Sequence, residues 1–228
     1  RDVPISLGAM PSLMSGVIAP AMQAWRQEFA DAPISIVEKS HAELVVALEY
    51  GQIDVAIGRA ETATAARGIT QIPLFRDGFD IVARSGHPLA RSGSVSLHDL
   101  GRYPWIFSSF PRANGPLLEQ LFSDAGLEVP PAKTESSCMT FLLATVRHSD
   151  TLAILPRHAV ADAIDDGAIR TLSFASPFFS REVAAHHLDT LAQDAHRRHI
   201  VLRLVHHVAQ AGLRAMLPLA APSRWRRG

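Results

Sequence analysis

Three short apolar runs in the first sixty residues alternate with two helix-length stretches across short joints, and this constrains the fold more than any other feature. Val3, Ile5 and Leu7 alternate with Pro4 and Ser6 and stop at Gly8, as a strand end does. "ISIVE" (Ile34 to Glu38) reads as a second strand after the turn at Asp31-Ala32-Pro33. "SHAELVVALEYG" carries Leu44, Val45 and Leu48 at helical spacing, and Gly51 falls where a helix closes in the left-handed conformation. "IDVAIG" (Ile53 to Gly58) is nearly continuous in apolar residues, the mark of a parallel strand covered on both faces. The whole is a βαβαβ unit, and ligands of open α/β sheets lie beyond the carboxyl ends of the strands. Ser12 then falls at the N-cap of a first helix that carries Pro20 in its middle. Its hydroxyl and the free N–H groups of the first turn suit an anion or a polar ligand.

A second alternating set follows. "DIVAR" reads as a fourth extended segment, ended by Ser85-Gly86-His87-Pro88; "PWIFS", "AKTES" and "TLAILP" read as strands, and "PLLEQLFSDAG" and "CMTFLLATVRHS" as helices. The chain thus holds two α/β units, with a return to the first near Pro156. Further on, Ile169 to Phe174 and Glu182 to His187 look extended, and Leu191 to Met216 reads as a long closing helix. The turn at Pro177-Phe178-Phe179 has no assignment, and "GRAETATAARG" reads as an exposed loop.

Balanced charge excludes several classes of partner. Lysine plus arginine equals aspartate plus glutamate at 22 each, so no global field draws the chain to nucleic acid or an anionic membrane. Only the tail "SRWRRG", with Arg224, Arg226 and Arg227, is locally basic, and a solvated, frayed end is its expected state. No apolar run reaches membrane-spanning length and no secretion signal opens the chain, so a cytoplasmic address is expected. A single cysteine, Cys138, excludes an intramolecular disulfide.

In order, the chain carries "LGAMPS", a proline at position 20, "FADAPISIVE", "ALEYGQIDVAIGR", "HPLA", "VSLHDLGRYPWIF", "LFSDAGLEVP" and "LAILP". This ordered set resembles the effector-binding domain of LysR-type transcriptional regulators over residues 3 to about 160. It is most similar to the branch of sugar-binding-protein and aromatic-acid pathway regulators. The resemblance implies an α/β, type 2 periplasmic-binding-protein fold: two Rossmann-like subdomains joined by crossovers near Phe79 to Arg84 and Ala153 to Pro156. Residues 1–80 plus 157–216 would form the first subdomain, 81–156 the second and 217–228 a tail. It also implies a small-molecule effector in the cleft, no cofactor, and a winged helix-turn-helix domain upstream of this chain. The protein would assemble as a homodimer or homotetramer, with DNA and RNA polymerase as partners of the full-length protein only. The alternative on this fold is a periplasmic solute-binding protein of a transporter.

By position, the resemblance assigns effector contacts to Met10, Pro11 and Ser12, to Ser40 and His41, to Gly58 and Arg59, and to Phe107, Ser108 and Ser109. Ser12, Ser40, Ser108, Ser109 and Ser137 bring small hydroxyls to expected helix starts, and Arg59 can pair with a carboxylate in bidentate fashion. The mixture favours an anionic or polyhydroxy metabolite. "EKSHAE" puts Lys39 and His41 where many relatives have glycine followed by serine or threonine, so ligand identity does not carry over. Other chemistry finds little support. His186 and His187 with His196, His199, His206 and His207 lack zinc spacing, and Cys138 has no base beside it and reads as apolar packing or cleft wall. No nucleophile elbow, phosphate loop or dinucleotide fingerprint is present, so no enzyme is expected. The first helix has two apolar rows, Leu13, Val17, Ala21, Ala24 and Met14, Ile18, Met22, Trp25. A helix on a sheet needs one such face, so the second points to subunit contact.

Overall fold

In the computed structural model, residues 4–61, 68–109, 114–130, 132–174 and 180–216 are described. Outside them lie Val3, most of "GRAETATAARG", the turn at Pro177-Phe178-Phe179 and the tail 217–228. β1 (Ile5–Ala9) runs parallel between β2 (Ile34–Glu38) and β3 (Val55–Arg59), with Leu7 opposite Ile36 on one side and Val55 on the other. Leu7, Ala9, Val55 and Ile57 are fully buried, which explains the apolar runs. α2 (His41–Glu49) packs so closely that a Cβ on Gly8 would stand 2.5 Å from the Leu44 side chain. Gly51, at φ +63°, closes this helix as its position predicts.

β3 is followed on the sheet by two antiparallel strands, β10 (Arg181–Leu188) and then β4 (Ile69–Asp77) at the edge. β4 was not legible in the sequence, because Pro73 interrupts its alternation. The structure tolerates that proline on an edge strand, beside the irregularity between Val183 and Ala184 where pairing shifts from Phe75 to Pro73.

The second sheet repeats the plan, with α3 (Leu97–Leu100) and α4 (Asn114–Asp124) on its connections. β6 (Trp105–Ser108) runs parallel between β7 (Ala132–Ser136) and β8 (Leu152–Pro156); β5 (Phe79–Arg84) and β9 (Ile169–Thr171) complete it antiparallel. Its orders, β7-β6-β8-β5-β9 against β2-β1-β3-β10-β4, correspond strand for strand. Two corrections follow. The segments expected as crossovers, Phe79 to Arg84 and Ala153 to Pro156, are strands of the second sheet, paired Phe79 to Pro156 and Val82 to Ala153. Ile169–Thr171 belongs to that sheet too, because it supplies the second partner of β5 and buries Ile169. The chain crosses outward at Asp77-Gly78-Phe79, and it returns between β9 and β10.

The first helix departs most from expectation. Pro11–Leu13 is a 3-10 turn, Met14–Ile18 a π-helical turn, and α1 spans Ala19–Glu28. Pro20 has no N–H and its ring would strike the carbonyl four residues back; widening the preceding turn, with the Ala19 N–H on the Met14 carbonyl, accommodates it. Met10, not Ser12, is the N-cap.

Both apolar rows of this helix are covered within the chain. α6 (Arg157–Asp165) packs on the π turn, where a Cβ on Gly16 would strike the His158 carbonyl, and α7 (Ala195–Met216) packs along α1. Leu13, Val17, Ala21 and Trp25 share one core with Val201, Leu204 and Val208. The second row thus has an intramolecular cause and gives no separate pointer to a subunit contact.

Candidate ligand-binding cleft

The carboxyl ends of β1, β2 and β3 face those of β6, β7 and β8 across a cleft of about 1000 Å³ of empty space, part of it open to solvent. Strand ends, rather than helix faces, therefore supply most of its wall. Met10 and Pro11 follow β1, Ser40 and His41 follow β2, and Arg59 ends β3. Phe107 and Ser108 end β6, and Ser137 follows β7.

Of the residues assigned from sequence, Met10, Pro11, Ser12, Ser40, His41, Arg59, Phe107, Ser108 and Ser137 come together on this cleft, and Ser109 does not. Ser109 is exposed and its N–H donates to the Ser136 carbonyl at 3.0 Å, prolonging the β6–β7 pairing. The serines differ in role. Ser40 caps α2: its hydroxyl donates to Glu43 Oε2 at 2.6 Å and accepts the Glu43 N–H at 3.4 Å, so this hydroxyl is already committed. Ser12 is buried in the 3-10 turn, where its Oγ accepts from Arg181 Nη2 at 3.2 Å. Gly58 does not line the cleft but shapes it, since a Cβ there would stand 2.5 Å from His41 Nδ1.

His41 is held by three neighbours. Its Nδ1 accepts the Arg59 N–H at 3.3 Å, so its Nε2 donates to Glu61 Oε1 at 2.7 Å, and the His186 ring stands edge-on at 5.7 Å. Burial pushes the His41 imidazole below its ordinary range, against the pull of Glu61. His186, likewise lowered by burial, donates from Nε2 to the Arg59 carbonyl at 2.9 Å. β3 is thereby fixed at the point where it enters the cleft.

Sequence reasoning missed Arg181. This residue opens β10, and only the insertion of β10 between β3 and β4 brings it to the cleft. Its Nε donates to Asp77 Oδ2 at 3.1 Å, and the guanidinium lies over the Phe79 ring at 5.0 Å. Asp77 is fully buried, and its other oxygen stands 2.9 Å from His158 Nδ1 without the alignment of a hydrogen bond. Burial lowers the Arg181 guanidinium while Asp77 opposes that shift. Cys138, expected in the core or on the cleft wall, is exposed and lines a neighbouring hollow between the first turn and α5 (Met139–His148). Among the described residues, no three His, Cys, Asp or Glu side chains are grouped to hold a metal. His207 instead contacts Glu28, and His206 contacts Gln210.

Two lobes of matching topology with a cleft at the strand ends are what the sequence resemblance requires. The profile of the LysR substrate binding domain matches residues 4–209. This chain belongs to that family. Among its relatives, the HTH-type transcriptional regulator PcaQ of Agrobacterium fabrum is 28% identical over 169 residues, 74% of this chain and 54% of its own length. The HTH-type transcriptional regulator GalR of Pseudomonas putida is 26% identical over 182 residues, 78% of this chain and 45% of its own. The chain spans about half the length of the curated relatives it matches. Among solved structures, the regulatory domain of MexT from Pseudomonas aeruginosa superposes with a TM-score of 0.71 at 16% identity, covering 91% of this chain and 98% of that one. The effector binding domain of QuiR, in complex with shikimate, superposes at 0.69 and 18% identity, covering 92% and 99%. The LysR substrate binding domain described here thus has the type 2 periplasmic-binding-protein fold. No helix among its described residues is long and apolar enough to cross a membrane.

Proposed function

We propose that this LysR substrate binding domain senses a small metabolite in the cleft between its lobes and, as part of a longer regulator, controls transcription. The observation that carries the reading is the convergence of both sets of parallel strand ends on one cleft lined by hydroxyls, cations and apolar side chains. Membership of the family and the transcriptional regulators among its relatives support it over a transporter's solute-binding protein. A winged helix-turn-helix domain would precede the chain, and the assembly would be a homodimer or homotetramer acting on DNA and RNA polymerase in the cytoplasm. Binding would favour one arrangement of the lobes, and that differential affinity would reset subunit packing.

The same reading holds the protein to be no enzyme; its relatives are regulators. Met139, on the cleft wall, offers a test. Calorimetry against a broad panel of small acids and sugars should find a ligand. Met139→Trp in the full-length protein should crowd the apolar wall of the cleft and abolish the response of a reporter to that ligand. A reporter response that survives in Met139→Trp would show that sensing happens elsewhere.

A further inference from the structure

The wall of the cleft holds cations without matching anions. Arg59 and Arg181 both line it, and among the described residues no aspartate or glutamate does. The two guanidinium groups are close enough for the charge of Arg59 to disfavour that of Arg181. Asp77 offsets one of them from behind, and Glu61 is engaged by His41. Among the described residues, the Arg59 side chain makes no hydrogen bond or ion pair. Arg181 uses its Nε on Asp77 and one N–H on Ser12, so neither partner takes the other three of the five donors of a guanidinium. Its plane is fixed by Asp77, Ser12 and the face of Phe79.

Much of the remaining wall is apolar. Phe79, Phe107, Met139, Ile154 and Pro156 line it, with Met10 beside Ser12. The start of α2 does not add a phosphate cradle: its capping box spends the first-turn N–H of Glu43 on Ser40 and sets the Glu43 carboxylate there.

We infer that the ligand of this cleft is a small carboxylate with a flat apolar body, its carboxylate lodged between Arg59 and Arg181 and its body on the Phe79–Phe107–Ile154 wall. This deepens the proposed function and rests on it. Planar guanidinium and planar carboxylate match in geometry, and a charge-assisted pair in a half-buried site discriminates an acid from its amide by about 10-fold or more. A polyhydroxy compound would leave the Arg59 charge without a counter-charge.

The test measures binding of acid and amide pairs to the intact protein by calorimetry: benzoate against benzamide, and cyclohexanecarboxylate against its carboxamide. Inorganic phosphate and sorbitol stand for the competing classes. At least one acid should bind about 10-fold or more tightly than its amide. Arg59→Gln and Arg181→Lys should each weaken the acid about 10-fold and leave the amide unchanged; Arg181→Lys keeps the charge beside Asp77, and circular dichroism verifies its fold. Equal binding of acid and amide overturns the inference, as do acid affinities unmoved by both variants. Phosphate or sorbitol binding in place of the acids overturns the carboxylate class while leaving the cleft as the sensing site. Silence from every probe overturns the inference as well, and the Met139→Trp reporter experiment judges the sensing role independently.

Discussion

Replacing Gly58 by alanine should unseat His41 and with it the first lobe's edge of the cleft. The new Cβ would stand 2.5 Å from His41 Nδ1 and 3.2 Å from Cε1, whereas ordinary contact begins near 3.4 Å. The ring must therefore retreat by about 0.9 Å from the nitrogen side. That retreat lengthens the bond from the Arg59 N–H, already 3.3 Å, beyond useful range. His41 is buried and its ring stands edge-on to His186 at 5.7 Å, so retreat on that side is blocked. Overpacking of about 1–2 kcal/mol plus about 1 kcal/mol for the lost bond gives a total near 2–3 kcal/mol. Urea unfolding followed by far-ultraviolet circular dichroism should show a midpoint lowered by about 1 M, given slopes of about 2–3 kcal/mol per M. His41→Ala removes the obstacle, so Gly58→Ala in that background should cost less than about 0.5 kcal/mol. Equal costs with and without the imidazole would mean that the ring does not make Gly58 necessary, and the reasoning would fail.

Other perturbations have equally definite outcomes. Asp54→Ala deprives Arg197 of a two-oxygen partner, at 2.8 and 2.6 Å, and the Ser6 N–H of its acceptor at 2.7 Å; the half-buried site should lose about 1–3 kcal/mol in the same urea assay. Asp77→Asn strands the desolvated Arg181 and should cost about 3–5 kcal/mol, while Asp77→Asn with Arg181→Gln should cost less than the two added together; strict additivity would refute the shared network. Burial lowers His41, His87 and His186 from 6.5, so on acidification the unfolded chain takes up protons at these sites before the folded chain does. Stability should therefore fall as the pH drops through about 6.5, by up to about 1.4 kcal/mol per unit for each such group. Glu28, held at about 2 mainly by its hydrogen bond from Arg203, is ionised in folded and unfolded chains alike from pH 7.5 to about 6 and adds nothing to that range. His87→Gln should reduce the slope by about one proton, and a slope that stays the same would assign the pH dependence to other groups.

What was legible in the sequence is what local pattern controls. Leu7, Val37 and Ile57 lie in strands whose periodicity announced them, and Gly51 and Gly126 both close helices at positive φ. Nine cleft residues could be found because each ends or follows a strand, and strand ends converge whatever the loops do. The failures are non-local. Ser12 has the sequence signature of a cap, yet Pro11 at the first helical position moves the cap to Met10, and the hydroxyl serves Arg181 from 169 residues away in the chain. Trp25 and Met22 looked like an unpartnered row because the helix that covers them begins at Ala195. Arg181 follows a segment without recognisable motif, and only the pairing of β10 with β3 and β4 reveals it.

The missed residue is also the one that ties the cleft to the connection between lobes. Asp77 is the last residue of β4, two positions before β5 opens the second sheet. His158, at the start of α6, follows the last strand of that sheet's parallel set, and Arg181 is the first residue after the chain has returned. Around them, Arg157 donates its N–H to the Gly78 carbonyl at 2.9 Å and its guanidinium to both oxygens of Asp80 at 2.8 and 2.9 Å. The described residues beside the crossings thus meet one buried carboxylate or its neighbour. A change of angle between the lobes has to strain the bonds to Asp77, since buried ion pairs tolerate little displacement. An anion that draws Arg181 toward the cleft acts on the same bonds from the other side. Ligand affinity and lobe geometry are then two expressions of one equilibrium, and a ligand shifts it only by the difference in its affinity for the two arrangements.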